Sequence, residues 1–183
     1  YSDKLIAAAG KHRHADRGLA AFHFDSWEMS SQNGSRLFFE EFTKRRGYSP
    51  LPYLAAFTGR IVGSVEITER FLWDARQTAQ ELTMENHIAR LRDYAHENGL
   101  VFSSEPYDLN PCSDLESGAL ADEPMCEFWS KGYGCVTEYS CFEAVSIAHT
   151  MGRPIVGAEA FTASGEAWRQ YPGSMKEQGD WAF

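Results

Sequence analysis

An apolar run that stops abruptly in a polar cluster constrains this chain more than any other feature. Leu19-Ala20-Ala21-Phe22-His23-Phe24 gives way at once to Asp25-Ser26-Trp27-Glu28. A short run of this kind predicts a buried strand that delivers side chains at its exit. The pattern returns at residues 100–108 (LVFSSEPYD), 124–129 (PMCEFW) and 154–161 (PIVGAEAF). Each segment carries a glutamate at or near its C-terminal end: Glu28, Glu105, Glu127 and Glu159. Helical stretches separate at least two of these steps. Parallel strands joined by helices place their C-terminal ends on one side of a sheet. The expectation is an α/β architecture with the four glutamates on one rim.

The bulk numbers narrow the partners. With 43% hydrophobic and 14% aromatic residues among 183, the chain can bury a real core and is not disordered by composition. A net charge of -9 disfavours a nucleic-acid backbone or an anionic membrane surface. No run approaches the ~18 apolar residues of a membrane span, so no membrane insertion is expected. Uncharged ligands, sugars among them, fit better. The sequence opens on Tyr1 without a signal-peptide pattern and closes on Trp181-Ala182-Phe183, which reads as an internal segment of a larger protein. Four cysteines, Cys112, Cys126, Cys135 and Cys141, form no CxxC pair, so neither a zinc ribbon nor a thioredoxin motif is present. Cys126 reads as a buried strand thiol. Cys135 and Cys141 have the option of pairing in an exported protein.

Along the chain, a short helix is predicted over residues 3–9, stopped by Gly10. His12-Arg13-His14 reads as a solvated basic loop, since two histidines without a third ligand make a poor metal site. Residues 30–34 are a loop by composition, and Ser35 is placed as N-cap of a helix over 36–46 ended by Gly47. Residues 54–57 fit a helical turn or a short strand. Between about residues 64 and 98, Leu72, Ala75, Ala79 and Leu82 step by helical spacing, and Ile88, Leu91 and Ala95 resume it on a shifted face. Gly99 ends that helix. Residues 106–123 read as a long loop, where an α/β fold keeps binding residues. Thr137 is the expected cap of a helix over 138–151, followed by a strand over 155–158 and a helix near 174–179.

Alternation along the first strand sends Phe22 and Phe24 to one face and His23 and Asp25 to the other. The bland role for His23 is a hydrogen-bonded core histidine. Any one strand-end glutamate has a bland role too, as a helix cap or an ion-pair partner of Arg60, Arg70 or Arg153. Four in one register are harder to explain that way. Packed carboxylates raise one another's pKa, a cost that a ligand, a metal or a proton-transfer task would repay. Paired acids beside Trp27, Tyr107, Trp129 and Phe161 describe a carbohydrate site, with acids for the glycosidic bond and rings for sugar faces.

The strings FHFDSWEM, RRGY with LPYL close behind, ITERFLWD, FSSEPYD, ADEPM followed one residue later by EFW, AEAFT and GDWAF resemble glycoside hydrolase family 106, the α-L-rhamnosidases. The resemblance runs from Leu19 to the end. It implies that residues 1–183 are part of one catalytic (β/α)8 TIM-type barrel in a larger multidomain enzyme, inverting in mechanism, with calcium at its active site. Mapped onto this chain, it makes Glu28 the general acid and Glu159 the general base. Glu127 becomes the metal-proximal carboxylate, and Asp25, Glu105, Asp108 and Trp129 become substrate contacts. Cys126 stands where the family pattern has glycine, which is expected to narrow the pocket. The implied partner is a rhamnosylated glycan or glycoside, in a secreted or periplasmic setting. Two other readings remain: a barrel-class glycoside hydrolase of different sugar specificity, and a non-catalytic carbohydrate-binding protein.

Overall fold

The computed structural model describes residues 1–10, 18–28, 34–108, 110–165 and 168–183. His12, His14 and most of the 30–34 loop lie outside the described residues. Helix α1 (Ser2–Ala9) ends at Gly10, and strand β1 (Ala21–Phe24) comes after it. Helix α2 (Phe38–Arg46) and a 3-10 stretch (Leu51–Thr58) lead to helix α3 (Val65–Thr83). A single π-helical turn (Met84–Ile88) joins α3 to α4 (Ala89–Glu97). Strand β2 (Val101–Ser104), the short helix α5 (Asp114–Gly118) and strand β3 (Glu123–Trp129) come next. Helix α6 (Glu138–Met151), strand β4 (Gly157–Thr162) and helix α7 (Pro172–Ala182) complete the order.

The strands form one sheet in the order β1-β2-β3-β4, with every pair parallel. The sheet is curled like part of a barrel wall. Two rows of inward side chains cross it. His23 pairs with Ser103, whose hydroxyl reaches the Met125 sulfur at 2.9 Å, and Met125 pairs with Gly157. A Cβ at Gly157 would sit 2.6 Å from Met125 Cγ, so the missing side chain makes room for the methionine. One step further along the strands, the Glu105 amide bonds the Phe24 carbonyl at 3.1 Å, which sets Glu105 beside Asp25. Glu127 pairs with Glu159 in the same row. Alternation thus stacks a polar layer and a carboxylate layer, as in a barrel interior.

The opposite face packs on helices. Phe102, Ala121, Ile88, Ala95 and Ile6 form one buried cluster, with Phe22, Phe24 and Trp27 against it. A second cluster of Phe38, Phe42 and Phe71 lies among α2, the 3-10 stretch and α3, away from the strands. Arg45 and Arg46 tie α2 to the α3 arm: Arg45 reaches Glu85 at 2.6 Å and Glu81 at 3.2 Å, and Arg46 reaches Glu81 at 2.6 Å.

Several expected boundaries shift. Helix α2 starts at Phe38, capped by Leu37 without a side-chain bond, because Ser35 contributes its carbonyl rather than its hydroxyl to the first turn. The segment at 54–57 is helical, within the 3-10 stretch. The expected loop at 106–123 includes helix α5, capped by the Ser113 side chain. Thr137 caps α6 by position only. Strand β4 begins two residues later than expected and includes Glu159 within it.

Phe42 is 0% exposed and meets Tyr48 and Phe71 edge-on or tilted, at 5.0 and 5.8 Å. Phe42→Ala should cost about 3–5 kcal/mol of stability. The neighbouring Phe39, 44% exposed, should lose less than about 1 kcal/mol as alanine. Chemical denaturation of both variants checks the contrast.

Candidate active site

Strand order decides which side chains meet. Glu28 leaves β1 and Glu159 sits on β4, the two outer strands, while Glu105 and Glu127 come from β2 and β3 between them. The predicted gathering of the four glutamates is therefore what the fold produces. Two of the three alternative partners for these glutamates are engaged elsewhere: Arg70 pairs with Glu66 at 2.9 Å and Arg153 reaches Asp122 at 3.7 Å. His23 is not the core histidine expected of it. Its side chain is exposed, lies 3.6 Å from Asp25 and contacts the Ser103 hydroxyl at 3.2 Å, because its strand face lines the open interior.

Glu105 is the buried member, 2% exposed. Its Oε2 accepts the Ser26 backbone N–H at 3.3 Å, and its Oε1 is buried without a hydrogen-bond partner among the described residues. Burial pushes its pKa up to about 7; the neighbouring Asp25 carboxyl and the Glu159 charge add to the rise, and the Tyr107 hydroxyl opposes it. Tyr107 is buried too, so it supports Glu105 from behind rather than offering a ring to a sugar. Its own pKa is raised by burial first and by Glu105 second. Glu127 is also held above the ordinary carboxylate range, first by burial and then by Glu159, with Glu28 and Asp25 contributing. Asp25, Glu28, Glu105, Glu127 and Glu159 thus act on one another as one electrostatic cluster.

The two outer glutamates are held by hydroxyls. Ser26 Oγ donates to Glu28 Oε1 at 2.7 Å, and Thr162 Oγ1 donates to Glu159 Oε1 at 2.7 Å. The second bond depends on a β-bulge. Trp129 pairs with Thr162 where Phe128 pairs with Ala160, so Phe161 is an extra residue, with φ at 61°. The bulge returns Thr162 to the face of Glu159. Glu28 also has a left-handed backbone, φ 43°, a conformation that costs a non-glycine residue roughly 1–3 kcal/mol and is concentrated at functional sites.

Trp129 shares the Glu127 face of β3 and lies on Gly134, where a Cβ would come within 1.7 Å of the indole. Asp108 stands apart from the carboxylate row. It is exposed, φ 59°, and the groups that feel its charge are Asp114, Tyr139 and Glu143. Cys126 does not narrow the pocket. It alternates away from Glu127 and is buried, 3.5 Å from the Gly157 carbonyl. The thiol neighbouring Cys141 is that of Cys126; all four cysteines are free. Sequence reasoning missed Ser26, Thr162 and His87 (which packs on Trp27 at 4.9 Å), since a hydroxyl or imidazole carries no signal until its partner is in place.

For a metal, His23, Asp25 and Glu105 each offer a ligand atom, all within 4.8 Å of one another. Glu127 is outside that group and one strand further along. Carboxylate oxygens, one of them a buried atom with no partner, suit a hard divalent cation such as calcium; the imidazole nitrogen suits it less.

Three comparisons bear on this arrangement. A family model described as alpha-L-rhamnosidase, glycoside hydrolase family 106, matches residues 1–183. A protein of Formosa agariphila named "Putative beta-glucuronidase" is 45% identical over 159 residues, 87% of this chain and 13% of that protein. The solved structure of a rhamnosidase from Novosphingobium sp. PP1Y superposes with a TM-score of 0.78 at 33% identity, covering 91% of this chain and 16% of that one. The chain therefore spans a small part of the length of these relatives. No helix among the described residues is long and apolar enough to cross a membrane.

Glu105 should make stability depend on pH. From its ordinary value of 4.5 to about 7, the folded chain keeps a proton that the unfolded chain has released, so stability falls as pH rises through that window. Glu105→Gln, which imitates the neutral acid, should change little near pH 4.5. Above pH 7 it should be more stable by about 3 kcal/mol. Unfolding midpoints in chelator-containing buffer at the two pH values test this; an equal gain at both would count against burial as the cause.

Proposed function

Because this chain belongs to glycoside hydrolase family 106, we propose that it carries the acid and base of an inverting α-L-rhamnosidase acting on terminal α-L-rhamnose. The observation that supports this most is the placement of Glu28 and Glu159 on the outer strands of a curled parallel sheet, with a carboxylate row between them. Inversion needs an acid and a base on opposite faces of the sugar, far enough apart for a water. In this reading Glu28 protonates the departing glycosidic oxygen and the Glu159 carboxylate takes a proton from the attacking water. Ser26 and Thr162 aim the two carboxyl groups, and Trp129 offers a ring to a sugar face. Asp108 contacts the substrate further from the bond that breaks.

Asp25 and Glu105, with Glu127 beside them, are the residues that would hold calcium. Bound there, the ion would supply a positive anchor for sugar hydroxyls. The surrounding carboxylates favour a neutral sugar over a uronate. Away from that ion, Glu28 and Glu159 take their hydrogen bonds from hydroxyls, so a uronate carboxylate held between them would meet like charge. That favours rhamnose over the glucuronide suggested by the name of the Formosa protein. A non-catalytic binding role leaves the opposed pair of glutamates unexplained.

In the intact enzyme, Glu28→Gln and Glu159→Gln should each lower turnover by about 10²–10⁴-fold. Activated aryl rhamnosides should partly rescue the Glu28 variant, because their leaving group needs no proton, and should not rescue the Glu159 variant. Equal losses on activated and natural substrates would sink the acid assignment. Proton NMR of the first product should show β-L-rhamnose, with mutarotation afterwards; α-L-rhamnose first would turn Glu159 from base into nucleophile.

A further inference from the structure

The turn that carries Glu28 is held on its far side by His87, a residue outside the carboxylate cluster. Trp27 is wedged between two rings: His87 at 4.9 Å, edge-on at 72°, and Phe24 at 6.4 Å. His87 also packs on Phe24 at 5.1 Å, closing a cluster of three rings behind the β1 exit. The Trp27 indole Nε1 is buried with no hydrogen-bond partner among the described residues, and the contacts that hold the indole there are ring packing.

His87 reaches this position through the π-helical turn. The Ala89 N–H donates to the Met84 carbonyl, five residues back, where an α-helix would close on the fourth. One extra residue rotates helix α4 by about 100° relative to an uninterrupted continuation of α3. Ile88 and Ala95 then enter the core, and His87 comes to lie under the β1 exit. Burial holds its pKa below the ordinary value, so it packs as a neutral ring. The next residue after Trp27 is Glu28, in its left-handed conformation. A rotation of Trp27 would be passed directly to that backbone.

We infer that His87 is a positioning residue for the acid: it locks Trp27, and through Trp27 fixes the direction in which Glu28 presents its carboxyl group. The inference rests on the reading of Glu28 as general acid. The test uses the intact enzyme with a series of aryl α-L-rhamnosides of graded leaving-group acidity. Variants are His87→Ala, His87→Leu (similar bulk, no ring) and His87→Phe (ring kept), with Glu28→Gln in parallel. Displacing an acid without removing it should lower kcat on the poorest leaving groups by about 10–100-fold in the alanine and leucine variants. Activated substrates should be nearly unaffected and KM nearly unchanged. His87→Phe should recover most of the loss. A loss that is equal across the series, or absent from the leucine variant, would overturn the inference, as would a phenylalanine variant no better than leucine. Glu28→Gln separates the two layers. If it shows leaving-group dependence and the His87 variants do not, positioning fails alone; if Glu28→Gln shows none, the acid reading fails and takes the inference with it.

Discussion

One bond between neighbouring strands organises the rim: the Ser26 backbone N–H donating to the buried Glu105 carboxyl at 3.3 Å. It turns the chain at the end of β1 so that the same serine's hydroxyl meets Glu28. The carboxylate that accepts this bond is itself the hardest group of the site to bury. A carboxyl 2% exposed is tolerable because part of its charge is given up, with the pKa raised to about 7, and because one oxygen is satisfied. The other oxygen has no closed hydrogen bond among the described residues, and the Tyr107 hydroxyl offsets its burial only in part, which keeps the site short of positive charge. That shortfall is what a protonated state or a hard cation would relieve, and it sits in the row of carboxylates rather than in either packed core.

Much of the rim is legible in the sequence because strand periodicity is two and the rim lies at strand ends. The alternation of Phe22 and Phe24 against His23 and Asp25 assigns the faces of β1, and the structure keeps that assignment. Helix punctuation by Gly10, Gly47 and Gly152 is equally readable, since the backbone at each has positive φ and glycine adopts it without a Cβ clash. The break in the long arm is visible as well: the apolar stripe jumps from Leu82 to Ile88, six residues instead of three or four, and the π turn lies across that gap. The stripe does not say that the residue set free by the jump, His87, lands beneath β1.

The parts that escape a sequence reading depend on neighbours distant along the chain. Cys126 is the buried strand thiol that its apolar setting suggests; the narrowed pocket implied by the family motif fails because a motif position does not give a side chain's direction. Once β3 is paired, Pro124, Cys126 and Phe128 are buried on one face while Met125, Glu127 and Trp129 are on the other. Asp108 belongs by sequence to the same segment as Glu105, yet three residues of loop and a left-handed backbone move its charge among Asp114 and Glu143. The bulge at Phe161 is invisible in AEAFT, although it decides which hydroxyl reaches Glu159.

The balance at Glu28 shows why its turn needs support from two sides. A left-handed backbone at a glutamate costs about 1–3 kcal/mol. The hydrogen bond from the Ser26 hydroxyl to a carboxylate returns about 1.5–3 kcal/mol at most, less where water competes, and Glu28 is exposed. That bond alone leaves the conformation close to indifferent. Two aromatic contacts on Trp27 add about 0.5–1.5 kcal/mol each, made among half-buried rings on the packed side of the strand. The sum then favours the strained turn clearly. The polar bond sets where the carboxyl points, and the rings keep the backbone from relaxing out of the conformation that makes that direction possible. A protonated carboxyl group with a fixed direction is what the role proposed for Glu28 requires, since geometry precedes pKa in choosing a general acid.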